Sequence, residues 1–193
     1  MLTKSLGITP GYPSISRFDV YFEPCYFEIA MKIWERLQPE CIFLDARLVD
    51  KDAVLRFAVE AFARSGAVSQ GNCLYENLRM REEVMSTGIG NGIGIPHAAS
   101  AEATDAAILL IRLADPIEFQ ALDGLPVDIV LAMVVPQDAT SLHLQVLAAL
   151  SRLCHHSRFM DIMREAENSE SLRNAIRNME EEMIVHGAKS SGD

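Results

Sequence analysis

Hydrophobic residues recur at helical spacing in the segment that follows Asp50. These residues lie three or four positions apart, as on one face of a helix: Val54, Ala58, Ala61 and Phe62. Asp50 can cap the first turn and Gly66 can end the helix. A second helix is predicted from about Asn72 to Met85, with Leu74 and Leu78 on its apolar side and charged residues opposite.

Two later runs are apolar throughout instead of alternating. They are AAILLIRL at 106–113 and VDIVLAMVVP at 127–136, both short and rich in branched side chains. Continuous apolar runs of this length are typical of strands that are covered on both faces. The intervening segment, 115–124, favours a short strand followed by a turn at Asp123-Gly124.

The last third of the chain has helical patterns. Thr140 can cap a helix whose apolar positions include Val146 and Leu150, and two further helices are predicted at about 158–166 and 170–183. Helices, a few buried strands and more helices predict a single-domain α/β sandwich.

The first thirty residues lack a sustained period. They contain three prolines and several aromatic residues, and regular patterning begins only at Met31. We expect residues 1–34 to be a poorly ordered extension, or sequence from an upstream start codon. The alternative is an ordered arm packed by Phe18, Tyr21, Phe22 and Phe27. The predicted folded domain is 35–186, followed by a disordered tail at 187–193.

Composition narrows the classes of partner. The 193 residues are 49% hydrophobic, enough for a real core, and the net charge of −10 disfavours binding to nucleic acid or to an anionic membrane. The four cysteines are scattered without a CxxC pair, which favours reduced thiols in a cytoplasmic protein. Apolar runs stay shorter than the roughly 20 residues of a membrane span.

The segment 88–97 reads GIGNGIGIPH and is the strongest candidate for a site. Its four glycines alternate with other residues and would lie on one side of an extended segment, where a backbone or a ligand could approach closely. Ile93 breaks the GxGxxG pattern, and no Gly-Lys-Ser/Thr follows, so a nucleotide loop is disfavoured. We expect a buried strand that ends at Pro96, with His97 at its end.

A neutral imidazole at that position could accept a phosphoryl group, because it is nucleophilic and its ordinary pKa is near 6.5. Without further information, a lone histidine after a strand is more often a surface or cap residue. His155 and His156 beside Cys154 suggest a metal, but no carboxylate or second ligand pair is suitably spaced, so we expect surface residues.

Three segments carry a resemblance to a known family. They are EEVMSTGIGNGIGIPHA at 82–98, DPIEF-x-x-x-DG-x-PVDIV at 115–130, and VPQDAT-x-x-HLQVLA-x-L at 135–150. In this order they resemble the type 2 (fructose/mannitol) enzyme IIA domains of the phosphotransferase system (PTS), especially the nitrogen-regulatory branch. The resemblance spans about residues 35–185 and implies a mixed β-sheet flanked by helices on both sides.

The resemblance also implies roles for three residues. His97 would accept phosphate on its tele nitrogen from the phosphocarrier HPr or a nitrogen-branch paralogue, without a cofactor or metal. His143, 46 residues later, would support the phosphate by hydrogen bonding, and Arg81, sixteen residues before His97, would stabilise the anion. Taken alone, His143 could be a core-edge histidine, and Arg81, followed by Glu82 and Glu83, could belong to a solvated helix face.

The sequence departs from the family at two positions beside the histidine. Gly94 stands where the family commonly has Ala, and Ala98 where it commonly has Gly. Gly94 should loosen the strand slightly and Ala98 could restrict the backbone. These changes bear on the donor and the transfer rate and leave the nucleophile in place.

Two uses of the phosphate remain open. In the favoured one, the protein is a regulator whose phosphorylation state controls partner proteins. In the other, it is a sugar-transport component that passes phosphate to a cysteine of a IIB partner. A domain that has lost phosphorylation is disfavoured, since His97, His143 and Arg81 are all present.

Overall fold

The computed structural model describes residues 31–190 apart from Asn72 and Ser157, with side chains described as far as Ile184. The predicted N-terminal extension up to residue 30 and the last three residues of the predicted tail lie outside this range. The helices are α1 (Ile33–Arg36), α2 (Lys51–Arg64), α3 (Leu74–Val84), α4 (Thr140–Cys154), α5 (Phe159–Glu165) and α6 (Ser169–Ser190), with a short 3-10 turn at Pro39–Cys41. The strands are β1 (Ile42–Ala46), β2 (Gly88–Gly90), β3 (Ile93–Gly94), β4 (His97–Ser100), β5 (Ala107–Ile117) and β6 (Val127–Pro136).

The six described strands form one mixed sheet in the order β1-β5-β6-β3-β2, and β4 also pairs with β6. β1 runs parallel to β5, β5 is antiparallel to β6, and β3 and β4 are both parallel to β6. The predicted mixed α/β architecture is therefore confirmed. The separate short strand expected after Asp115 is wrong, because β5 continues through Asp115 and Pro116 to Ile117, with an irregularity in its pairing between Arg112 and Ile117.

The sheet is covered on both faces, which explains the continuous apolar runs. Along β5, Ile108 and Leu110 pack into a core with α1, α4, α5 and α6, whereas Leu109 and Ile111 pack into a second core with α2 and α3. All four side chains are fully buried. Alternating side chains thus enter opposite layers, and each contributes roughly 1.5–3 kcal/mol through burial.

The helix ends follow the sequence signals closely at α2. The Asp50 side chain accepts a hydrogen bond from the Ala53 N–H at 2.8 Å, as predicted for a cap, and Gly66 adopts a φ of 76° just beyond the helix. At α4, however, Thr140 is the first helical residue and Ala139 holds the cap position without a side-chain bond. A turn joins the Ala139 N–H to the Pro136 carbonyl, and the helix begins at Thr140, one residue earlier than a cap at Thr140 would place it.

Candidate active site

The glycine run folds into a hairpin instead of the single extended segment that the alternation predicts. β2 and β3 pair antiparallel across Asn91-Gly92, whose φ angles are 56° and 80°. Asn-Gly is the commonest signal for a two-residue hairpin turn, because both central residues need a positive φ. The Asn-Gly dipeptide is visible in the sequence, but the alternating glycines favour one extended segment over a hairpin.

The glycines do permit close approach, and the neighbours are parts of this chain. A Cβ added at Gly88 would lie 2.7 Å from the Ala121 Cα, and one at Gly94 would lie 3.2 Å from the Phe119 ring. At Gly92 it would overlap the Asp128 carboxylate. Small residues therefore let the hairpin pack tightly against the segment 119–128.

His97 begins a strand instead of ending one. β3 and β4 both pair with β6, so that Ile93 is opposite Ile129 and His97 is opposite Met133. Pro96 has no N–H to donate to the sheet, but its carbonyl still accepts a hydrogen bond from the Met133 N–H at 2.9 Å. β6 is long enough to hold both segments in line, which fixes His97 against the central strand.

The two ring nitrogens of His97 have different partners. Nδ1 lies 2.6 Å from the Ile95 carbonyl oxygen, and Nε2 lies 3.1 Å from Arg81 Nε. Because a carbonyl only accepts and a guanidinium only donates, Nδ1 carries the proton and Nε2 presents its lone pair. The contacts thus define a neutral ring with Nε2, the tele nitrogen, as the available nucleophile.

The surroundings keep this ring neutral. Burial lowers the pKa of His97, the Ile95 carbonyl acts in the opposite direction, the nearby Arg81 and His143 lower the pKa further, and the Glu82 charge, the smallest of these influences, raises it. Burial, and then the Arg81 charge, lower the pKa of His143. Only 9% of His97 is exposed, so little of the ring is accessible to a reacting group.

His143 lies directly beside His97. The two ring centroids are 5.4 Å apart and the ring planes meet at 76°. His143 Nε2 is buried and has no hydrogen-bond partner within the described part of the chain. His143 is the fourth residue of α4, close to the helix N-terminus, where the first amides lack partners within the helix and the dipole favours an anion.

Arg81 reaches the same ring from α3. Its Nη1 donates to the Met85 carbonyl at 2.9 Å, which holds the guanidinium at the C-terminal end of the helix, while Nε points at His97. The structure therefore brings the three sequence-predicted residues, His97, His143 and Arg81, into one cluster. Their catalytic roles remain predictions.

An open cleft of about 1030 Å³ adjoins the cluster, and its lining includes Arg81 and His97. Its rim carries apolar side chains that are unusually exposed, with Met85 at 64%, Leu122 at 75% and Leu125 at 55%. Isolated apolar residues are common on surfaces, but several around one cleft are typical of a protein-binding site.

The lining of the cleft also includes Cys154, His155 and His156. His155 Nδ1 lies 2.7 Å from the Ser151 carbonyl, and burial raises the pKa of the Cys154 thiol to about 12. Within residues 31–190, as far as they are described, no group of three His, Cys, Asp or Glu side chains could hold a metal ion. None of the described helices is both long enough and apolar enough to cross a membrane.

Glu82 is the site-adjacent residue that the sequence interpretation missed. Its position between Arg81 and Glu83 suggested a solvated face, yet Glu82 is only 8% exposed. It accepts hydrogen bonds from Thr87 and forms an ion pair with Lys51 at 2.9 Å. A carboxylate at the last turn of a helix followed by Ser-Thr could have indicated such contacts, but burial depends on the packing of α2 against α3.

Comparison with known proteins shows which family the chain resembles. Residues 35–179 match the family model described as "Phosphoenolpyruvate-dependent sugar phosphotransferase system, EIIA 2". The chain is 34% identical over 122 residues to a nitrogen regulatory protein of Pseudomonas aeruginosa, covering 63% of this chain and 79% of the relative. It is 32% identical over 146 residues to the fructose-specific EIIABC component of Bacillus subtilis, covering 76% of this chain and 23% of the relative.

A solved structure shows the same fold. The nitrogen regulatory protein IIA-Ntr from Neisseria meningitidis superposes with a TM-score of 0.69 at 30% identity, covering 75% of this chain and 98% of that protein.

Proposed function

Because this chain belongs to the EIIA 2 family of the phosphoenolpyruvate-dependent sugar phosphotransferase system, we propose that it is a phosphoryl carrier that is loaded at His97 Nε2. The observation that carries the proposal is the pair of contacts on the His97 ring, which leaves Nε2 unprotonated, with its lone pair directed at Arg81 Nε. We infer an HPr-like protein as the phosphate donor, acting in the cytoplasm.

In the loading step, the Nε2 lone pair attacks the phosphorus of the donor's phosphohistidine. The new N–P bond forms as the donor's N–P bond breaks, and the bonding pair returns to the donor nitrogen. The His97 ring then shares a positive charge, which the Ile95 carbonyl stabilises through the Nδ1–H bond. Transfer to an acceptor is the same step in reverse.

Arg81 and His143 would stabilise the phosphoryl oxygens. Arg81 Nε points at the nitrogen that is phosphorylated, so a small shift brings it onto an oxygen of the new group. His143 Nε2, buried and unpaired among the described residues, can donate to another oxygen in its Nε2–H tautomer. Phosphoryl transfer depends on such positioning and charge stabilisation more than on acid–base chemistry.

We favour a regulatory role, in which the phosphorylation state of His97 controls binding to partner proteins. The nitrogen regulatory relatives and the IIA-Ntr structure support it. The exposed apolar rim of Met85, Leu122 and Leu125 is suited to a protein partner. The alternative, a sugar-transport component that passes phosphate to a IIB cysteine, is supported by the fructose-specific relative.

Intact mass spectrometry tests the carrier function. The protein is incubated with phosphoenolpyruvate, enzyme I and either HPr or its nitrogen-branch paralogue. Wild type should gain one acid-labile phosphate and His97→Ala should gain none. His155→Ala, which alters an exposed histidine that also lines the cleft, should be loaded like wild type. If wild type gains no phosphate from either carrier, the proposal is wrong.

Discharge of the phosphoprotein separates the two roles. The loaded protein is mixed with IIB domains of the fructose and mannitol type in the presence of the matching sugar transporter. We expect slow discharge that does not depend on sugar. Rapid, sugar-dependent discharge would favour the transport role instead.

A further inference from the structure

A buried carboxylate lies behind the reactive histidine without touching it. Glu82 Oε1 and Oε2 accept from the Thr87 N–H at 3.0 and 3.1 Å, and Oε2 also accepts from the Thr87 hydroxyl at 2.5 Å. Ser86 Oγ lies 3.1 Å from Oε1 and 2.8 Å from the Phe119 carbonyl oxygen, so its one proton is shared between these two acceptors. Burial acts to raise the pKa of Glu82, but the hydrogen bonds from Thr87 and Lys51 outweigh it and the pKa is lowered, so the group stays ionised.

Thr87 connects this carboxylate to the His97 ring. The Thr87 carbonyl accepts from the Ile95 N–H at 2.9 Å, and the Ile95 carbonyl in turn accepts from His97 Nδ1–H at 2.6 Å. Ile95 lies between β3 and β4, and this bond extends the β2–β3 pairing by one residue pair beyond Gly88 and Gly94. The position of the Ile95 carbonyl therefore depends on Thr87.

The second ring nitrogen of His97, Nε2, is bonded by a residue of α3 that is adjacent to Glu82. Arg81, which donates to His97 Nε2, is the residue directly before Glu82. Two adjacent residues of α3 therefore position the groups that bond the two ring nitrogens. Arg81 provides the guanidinium, and Glu82 holds the Ile95 carbonyl through Thr87. A shift of Glu82 relative to Thr87 would change the distance between the two groups that hold the ring.

Lys51, the first residue of α2, holds the Glu82 carboxylate through an ion pair. Its ammonium lies 2.9 Å from Glu82 Oε1 and 4.8 Å from the centre of the Phe119 ring, which packs against Gly94. The Lys51 side chain is only 18% exposed, so the ion pair is largely shielded from water. Removing Lys51 would leave the buried Glu82 carboxylate without its counter-ion.

We propose that Glu82, held by Lys51, is a positioning residue that keeps the Ile95 carbonyl on His97 Nδ1 and so keeps the proton off Nε2. The consequence for phosphoryl transfer rests on the proposed function, whereas the effect on the tautomer does not. A purely structural Glu82 would affect folding stability and leave the tautomer unchanged.

Nitrogen-15 NMR of the His97 ring tests the tautomer directly. Arg81 also favours the Nδ1–H form, so the comparison uses Arg81→Ala with and without Glu82→Gln. We expect Arg81→Ala to keep mainly Nδ1–H and the double variant to show at least a fivefold larger Nε2–H population. Equal populations in the two folded proteins would overturn the proposal.

Kinetics of loading provide the second readout. Glu82→Gln should lower kcat at least tenfold with less than a twofold change in KM for the donor, because the docking surface is untouched. Ser86→Ala removes another donor to the same carboxylate that does not contact Ile95, and it should stay within twofold of wild type. A loss in Ser86→Ala equal to that in Glu82→Gln would contradict the path through Thr87.

Two further variants apply if Glu82→Gln does not fold. Thr87→Val removes the hydroxyl at nearly constant size, and Lys51→Met removes the counter-ion. Each should raise the Nε2–H population in the Arg81→Ala background, and no change in either would overturn the proposal. If wild type accepts no phosphate, the carrier function fails while the NMR comparison still decides the role of Glu82.

Discussion

Two hydrogen bonds to the His97 ring determine which of its nitrogens carries the proton. A histidine can use either ring nitrogen, and here one carbonyl and one guanidinium select between them. His97, His143 and Arg81 could be named from the sequence because each matched a motif. Glu82 could not, since two adjacent glutamates look alike in sequence, and only the packing around α3 buries one of them.

The lowered pKa of His97 predicts how loading depends on pH. As pH falls past about 6.5, a free imidazole becomes protonated and loses its nucleophilic lone pair. His97 has a lower pKa because burial disfavours the charged ring, so it stays neutral over that range. The initial loading rate is measured with saturating donor at a series of pH values. It should stay at its maximum even at pH values below the pKa of a histidine in an unstructured peptide.

An NMR titration of the His97 ring in the unphosphorylated protein controls for effects of pH on the donor. A midpoint at or above that of the peptide would contradict the prediction.

Arg81→Lys tests the guanidinium. Lysine keeps the charge but cannot donate to both the Met85 carbonyl and His97 in the same fixed geometry. A lost charge-assisted hydrogen bond is worth about 1.5–3 kcal/mol, which corresponds to a loading rate roughly 10- to 100-fold lower. Arg79→Lys, exposed on the same helix, is the matched control and should load at the wild-type rate. Equal rates for both variants would exclude a role for the guanidinium.

At the scale of elements, the long buried strands are easier to predict than the short strands of the hairpin. β6 matches the predicted run 127–136 because its side chains meet a core on each face. The hairpin at Asn91-Gly92 was missed because alternating glycines fit an extended strand as well as two short ones. The start of α4 shifted by one residue because a turn from Pro136, a feature of the backbone, set the cap.

Gly92→Ala tests the hairpin. The position combines a φ of 80° with a Cβ site that the Asp128 carboxylate already occupies. Gly66 has a similar φ of 76° with open space around it, so Gly66→Ala measures the backbone strain alone. We expect Gly66→Ala to lower the free energy of unfolding by about 1 kcal/mol and Gly92→Ala by about 2–4 kcal/mol. Urea denaturation measures both, and equal losses would mean that the close packing at Gly92 is unimportant.

At the scale of the whole molecule, the sheet separates two hydrophobic cores, one on each face. β4, which begins at His97, pairs with one edge of β6, and β5 pairs with the other, so the candidate site is attached to the most buried part of the protein. The α/β class followed from the order of helical and apolar segments. The register that aligns His97 with Met133, and hence the position of the site, depends on long-range pairing that no local pattern encodes.

Adjacent truncations in β5 test the two-core arrangement. Leu109 and Leu110 point to opposite faces and both are fully buried. We expect Leu109→Ala and Leu110→Ala each to lower the free energy of unfolding by about 2–5 kcal/mol, measured by urea denaturation. A sheet with one solvated face would lose stability at only one of the two positions, so a loss below about 1 kcal/mol at either would contradict the account.

The central claim is that phosphate is carried on one nitrogen of one histidine. Two-dimensional nitrogen-15 and phosphorus-31 NMR of the loaded, labelled protein measures this directly. We predict one phosphoryl group, coupled to His97 Nε2, with the proton retained on Nδ1. Phosphate on Nδ1 of His97, on His143 or on any other residue would contradict the account.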